Sequence, residues 1–161
     1  MSFTLITLCT MLYAWPNDLT INYNYVSGTV PPPYHFEYNV SIDAKGNGII
    51  SYKPDYVFDT IWTETFKLPH KSMRKFWSTL KKTDFFTKKW TEAEKHPVGG
   101  SIEYLEITAN NKSYKIPAFP IEKDNAEKFL KAVRQLISKA AMDILTAKRE
   151  EYIEKFKSEK N

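Results

Sequence analysis

From Tyr34 to Asp43 the chain alternates without a slip. Tyr34, Phe36, Tyr38, Val40 and Ile42 fall on one side, and His35, Glu37, Asn39, Ser41 and Asp43 on the other. A period of two with one apolar and one polar face marks a strand in an antiparallel sheet covered on a single face. The run leads into Lys45-Gly46-Asn47-Gly48, residues that accept positive φ and so turn a hairpin, and Ile49 to Tyr52 reads as the return strand. Any fold for this chain must therefore hold a sheet with something packed on one side of it.

The flanking sequence widens that sheet. Across Asp18 to Val26, Leu19, Ile21, Tyr23 and Tyr25 alternate with Thr20, Asn22 and Asn24, which gives another half-buried strand. Pro31-Pro32-Pro33 predicts a stiff extended connection, because proline brings no N–H to a ladder. Thr60 to Leu68 reads as a strand with Trp62, Phe66 and Leu68 apolar and Glu64 interrupting them. His96 to Pro120 opens on Gly99-Gly100, runs through Ile102, Tyr104, Leu105, Ile107 and Ala109, turns at Asn110-Asn111 and returns through Tyr114, Ile116 and Ala118. Both faces of this hairpin are partly apolar, which predicts an interior place in the sheet.

Two stretches carry a helical period. Behind Pro69, Met73, Phe76, Trp77 and Leu80 form one stripe, with Lys71, Arg74, Lys75, Ser78 and Lys82 opposite. From Asp124 onward, Ala126, Phe129, Leu130, Val133, Leu136, Ile137, Ala140, Ala141, Ile144 and Leu145 predict a second helix, with Asp124 and Glu127 as a capping box. Continued to Phe156 it would be about 50 Å long, against a body about 35–40 Å across. A break near Ser138 to Asp143, or a projecting end, is expected. The expected fold class is α+β: two layers, an antiparallel sheet of five or six strands with two main helices on one face. It forms a single domain over residues 18–161, after an apolar segment over residues 1–17.

Ser2 to Trp15 has no charged side chain, but it is shorter than the roughly 20 residues that span a bilayer and lacks a basic leading region. It reads as a buried segment, or as an export signal whether or not its start lies further upstream. No transmembrane helix is expected, and membrane contact would be peripheral, through this segment. The cell envelope or periplasm is the expected location, ahead of the cytoplasm. Cys9 is the only cysteine, which excludes an internal disulfide and a thiolate metal cluster.

Motifs for catalysis are missing. His35, His70 and His96 share no ligand spacing, so neither metal nor cofactor is expected. There is no Gly-x-Ser-x-Gly elbow, and Glu103 and Glu106 fall on opposite faces of one strand. Gly99-Gly100-Ser101 lacks the lysine and helix of a phosphate loop and predicts a turn into the sheet. Pro31-Pro32-Pro33-Tyr34 matches a short Pro-Pro-x-Tyr recognition pattern, but Tyr34 at the head of a strand is expected to be buried. Asn39-Val40-Ser41 and Asn111-Lys112-Ser113 are sequons that matter only in a eukaryotic secretory protein.

Charge is uneven. The formal net charge is +4, yet Lys67 to Lys95 holds Lys67, Lys71, Arg74, Lys75, Lys81, Lys82, Lys88, Lys89 and Lys95 against Asp84, Glu92 and Glu94. The expected function is a non-catalytic protein-binding domain, an inhibitor or immunity-type protein of the cell envelope, with a partner of acidic surface. The expected contact residues are Lys71, Arg74, Lys75, Lys81, Lys82, Lys88, Lys89 and Trp90, with His35 and Glu37 on the polar strand face. One alternative is an enzyme with a dispersed site around Tyr104, Glu106 and His96. Another is a single-stranded nucleic-acid binder that stacks bases on Phe76, Trp77, Phe85, Phe86 and Trp90. Nucleic acid is the less favoured partner, because Phe76 and Trp77 share a stripe with Met73 and Leu80.

Overall fold

The computed structural model describes residues 15–55, 59–95 and 99–158. Among them run β1 (Thr20–Val26), β2 (Glu37–Asp43), β3 (Asn47–Lys53), β4 (Trp62–Lys67), α1 (His70–Lys82), β5 (Ile102–Ala109), β6 (Lys112–Ile116), α2 (Lys123–Arg134) and α3 (Lys139–Ser158). The strands make one antiparallel sheet ordered β4-β3-β2-β1-β5-β6. This is the α+β architecture expected, with six strands and with three helices in place of two.

The alternation sorts the faces as anticipated. Ile21, Tyr23, Val40, Ile42, Ile50, Leu105 and Ile107 are buried beneath the helices, while Asn22, Asn39 and Ser41 are exposed on the other side. Tight turns hold the register. Gly46 has φ +79°, and the Asn47 N–H donates to Asp43 Oδ1 at 2.8 Å. At the β5–β6 turn Asn110 and Asn111 have φ of 54° and 58°, the paired left-handed geometry of a two-residue hairpin loop. Asp18, just ahead of β1, accepts the Asn110 and Asn111 N–H groups at 2.9 and 2.6 Å. Those bonds, Asn111 foremost, hold its carboxyl below the ordinary aspartate range.

Five expectations are corrected. Only half of the β5–β6 hairpin is interior: β5 pairs with β1 on one side and β6 on the other, which leaves β6 at the edge. Exposed Lys112 and Lys115 on β6 are the kind of charge that guards an open edge. The proline run is not extended, because the Tyr34 N–H donates to the Pro31 carbonyl at 2.9 Å and closes a turn. Tyr34 is therefore 49% exposed rather than buried. Phe36 takes the inward place, stacked 5.5 Å from Tyr25 and 5.6 Å from Tyr52.

The long C-terminal helix is two helices, separated by residues 135–138, so the break begins slightly ahead of the expected span. Ser138 then starts α3: its carbonyl accepts the Met142 N–H at 3.1 Å and its Oγ the Ala141 N–H at 3.4 Å. The two halves cover opposite edges of the same sheet face. Phe129 of α2 meets Phe85 at 5.0 Å, near β6, whereas Lys148 of α3 reaches Glu64 of β4 at 2.8 Å. That pair also explains Glu64, a carboxylate on the covered face opposite Ile50. Finally, Asp124 is not the cap of α2. The cap position is Glu122, without a side-chain bond, and Asp124 sits in the first turn, where a carboxylate still suits the helix dipole.

Helix α1 buries Met73, Phe76, Trp77 and Leu80, and Phe85 behind it is fully buried against Phe86, Tyr114 and Phe129. Trp15 is buried as well, and its indole N–H donates to the Ala44 carbonyl at 2.8 Å. Among the described residues no helix is long and apolar enough to cross a membrane.

Candidate functional site

With its apolar stripe spent on the sheet, α1 turns Lys71, Arg74, Lys75, Ser78 and Lys82 outward at spacings of i, i+3, i+4, i+7 and i+11. Lys81 follows Arg74 by two turns on the same side of the helix. The helix contains no carboxylate. Among the described residues none of Lys71, Arg74, Lys75, Lys81 and Lys82 forms an ion pair. The nearest polar contact of Arg74 is His70 Nδ1 at 3.5 Å. The surface is open, lined by His70, Lys71, Arg74, Lys75 and Ser78 from this one helix.

This charge does not serve the helix. Lys71 sits in the first turn, where the dipole disfavours a cation, and no acid is present there to offset it. Lys71 and Lys75 are like charges one turn apart, which costs some tenths of a kcal/mol. Only Lys81 and Lys82, in the last turn, are placed where the dipole favours them.

The remaining expected contact residues are not part of this face. Lys88 is engaged with Asp84 at 3.9 Å and Glu122 at 3.8 Å, and lies 5.0 Å over the Trp90 ring. Trp90 packs edge-on against Phe129 at 5.7 Å and belongs to the wall of the core. Lys89 is exposed beside them. His35 and Glu37 lie near the start of β2, whereas α1 begins next to the turn at its far end, where Leu68 N–H meets the Gly46 carbonyl at 2.8 Å. A seven-residue strand separates the two groups by about 20 Å. Glu37 pairs with Lys53 at 3.7 Å, and His35 Nδ1 is 3.0 Å from the Gly28 carbonyl oxygen.

Of the enzyme residues, Tyr104 and Glu106 meet on the uncovered face, the Tyr104 hydroxyl donating to Glu106 Oε2 at 3.3 Å. Ser113 and then Lys115 hold the Glu106 carboxyl below the ordinary glutamate range, which makes it a poorer base. His96 lies outside the described residues, as does Cys9. Among the described residues no cluster of three metal-binding side chains occurs.

One cluster escaped the sequence reading. Glu103 sits on the covered face of β5, opposite Tyr25, and accepts bonds from the Tyr23 hydroxyl and the Arg134 guanidinium, which also bonds Glu127. The available signal was register: Glu103 shares parity with Leu105, Ile107 and Ala109, and a carboxylate on a dry face needs a cation.

Beside this cluster, burial pushes the Tyr23, Tyr38 and Tyr52 phenols above the ordinary tyrosine range. A proton held more tightly folded than unfolded contributes stability that is whole below the unfolded pKa, about 10, and is lost as pH rises past it. Denaturant midpoints should accordingly fall once about pH 10 is passed, and Tyr52→Phe should fall less steeply than the parent. Superimposable curves for the two proteins would contradict the assignment.

Comparison with models of known protein families finds no match to this chain, and comparison with curated protein sequences finds none.

Proposed function

We propose that this chain is a non-catalytic protein-binding domain that docks the outward face of α1 onto an acidic surface of its partner. Its form would be that of an inhibitor or immunity-type protein of the cell envelope. The supporting observation is the five cations Lys71, Arg74, Lys75, Lys81 and Lys82 on a helix without one carboxylate, two of them, Lys71 and Lys75, placed where they cost helix stability. Charge kept at such a cost, on an open surface, suits steering and specificity toward an opposite charge.

A single-stranded nucleic-acid partner fits less well. Stacking needs exposed rings beside the cations, and Phe76, Trp77 and Phe85 are each 6% exposed or less.

Affinity capture from the native organism, read by mass spectrometry, tests the proposal. A stoichiometric protein of acidic surface should be retained at low salt and released as ionic strength approaches 1 M, where the screening length falls to about 3 Å. Retention of nucleic acid alone, or of no stoichiometric protein under several growth conditions, would overturn it.

A further inference from the structure

The uncovered face of the sheet is unlike the rest of the surface. By register, one outward row crosses five strands as Tyr104, Asn24, Asn39, Ser51 and Thr63, and the next runs Asn22, Ser41, Ile49 and Thr65 beside Glu106. The first row holds no charge, in a chain of which 26% is charged. A face that is merely solvated ordinarily mixes both signs. Here the charges stand at the margins and answer one another, Glu106 with Lys115 at 3.3 Å and Glu37 with Lys53 at 3.7 Å. Between them lies a hollow of about 330 Å³ floored by Asn22, Asn24, Asn39, Ser41 and Ser51, with Tyr104 and Ile49 as apolar walls. That volume falls within the range of small-molecule sites, and the row is about 19 Å long at the usual strand spacing.

From this we infer that the uncovered face is a binding site for a neutral oligosaccharide. A sugar presents hydroxyls that donate and accept at once, together with a flat C–H surface. Asparagine amides supply a donor and an acceptor on one side chain, and serine either role. The Asn24 amide already donates to Asn39 Oδ1 at 2.8 Å, which leaves the Asn39 N–H₂ group to point at a ligand. The Tyr104 ring and Ile49, the latter 47% exposed, supply the apolar contact.

Other occupants fit worse. Nucleic acid needs cations along its phosphates, and the row has none. A protein interface is centred on aromatic residues, methionine and arginine, whereas this centre is amide and hydroxyl. A second copy stacked sheet on sheet would strip water from those amides without returning their hydrogen bonds. The site lies on the opposite side of the sheet from the helices and does not depend on the role given to α1.

Calorimetric titration of the full chain with cellohexaose, chitohexaose and maltohexaose decides the matter, with polygalacturonate as the acidic control. At least one neutral hexasaccharide should bind. Tyr104→Ala should weaken that binding at least about tenfold through loss of the ring. Ser51→Leu, which fills the hollow without touching the core, should do the same, while Lys71→Glu should change nothing. Failure of all three sugars to bind at millimolar concentration, binding of the acidic polymer alone, or binding indifferent to both Tyr104→Ala and Ser51→Leu would overturn the assignment.

Discussion

Tyr52→Ala should cost about 3–5 kcal/mol, the range for removing a large buried aromatic side chain. Tyr52 is 3% exposed, at the centre of a row of rings crossing four strands. Tyr25 stacks on Tyr38 at 5.1 Å, Tyr38 on Tyr52 at 6.2 Å, and Tyr52 on Trp62 at 5.9 Å. These residues are direct cross-strand partners from β1 to β4, so each ring supports the register of two neighbours. The row ends on α3, where Tyr152 meets Trp62 edge-on at 6.1 Å. Removing Tyr52 therefore opens a cavity under α3 and also loosens the pairing of β3 with β4. Urea unfolding followed by tryptophan fluorescence and by far-ultraviolet circular dichroism would show both losses. A change below about 1 kcal/mol, the level of an ordinary surface substitution or little more, would contradict the packing described.

A comparable loss is expected at a residue with no side chain. Gly28 has φ +86°, and a Cβ built there would lie 2.2 Å from the Gly100 carbonyl oxygen. The β1–β2 connection and the turn into β5 thus touch backbone to backbone. Gly28→Ala should cost about 1–2 kcal/mol for the left-handed backbone and about 1–3 kcal/mol more for the displaced carbonyl. Gly100→Ala separates the two terms. It shares the positive φ, +85°, but nothing lies within 4 Å of its added Cβ, so only the first cost applies. Equal losses from the two substitutions, measured by denaturant midpoint, would mean that the two loops do not press together.

What could be read in the chain was whatever repeats over a few residues. The period of two in Ile21, Tyr23 and Tyr25 and in Tyr38, Val40 and Ile42 identified the buried face, and the stripe Met73, Phe76, Trp77 and Leu80 identified the buried side of α1. The Asn110-Asn111 turn followed from the left-handed backbone that asparagine tolerates. Periodicity says which way a side chain points and nothing about which strand lies beside it. That is why β6 could be taken for an interior strand: the second apolar face of the hairpin belongs to Ile102 and Tyr104 of β5, while β6 turns Ser113 and Lys115 outward and Tyr114 inward to Phe85 and Phe86.

The same limit hid the ion pairs. Glu64 finds Lys148 across 84 residues, and Glu103 finds Arg134 across 31. Only the assembled sheet brings them together. The break after α2 was anticipated from helix length, but its place depends on where α2 and α3 each meet the sheet. The basic face of α1 was legible in full, because a helix displays its charges by the same period with which it buries its apolar residues. Its separation from His35 and Glu37, and the withdrawal of Lys88 and Trp90 into contacts of their own, needed the structure.

Capture of the partner on three baits decides whether the outward face of α1 docks onto an acidic protein, as proposed. These are the parent chain, Lys71→Glu/Arg74→Glu/Lys75→Glu, and Tyr104→Ala, each shown by circular dichroism to be folded. The parent and Tyr104→Ala should retain the same acidic protein. The charge-reversed helix should lose it, with affinity lowered on the order of a hundredfold or more as like charges replace opposite ones. Retention of that protein by the charge-reversed chain at the level of the parent would rule out α1 as the docking surface.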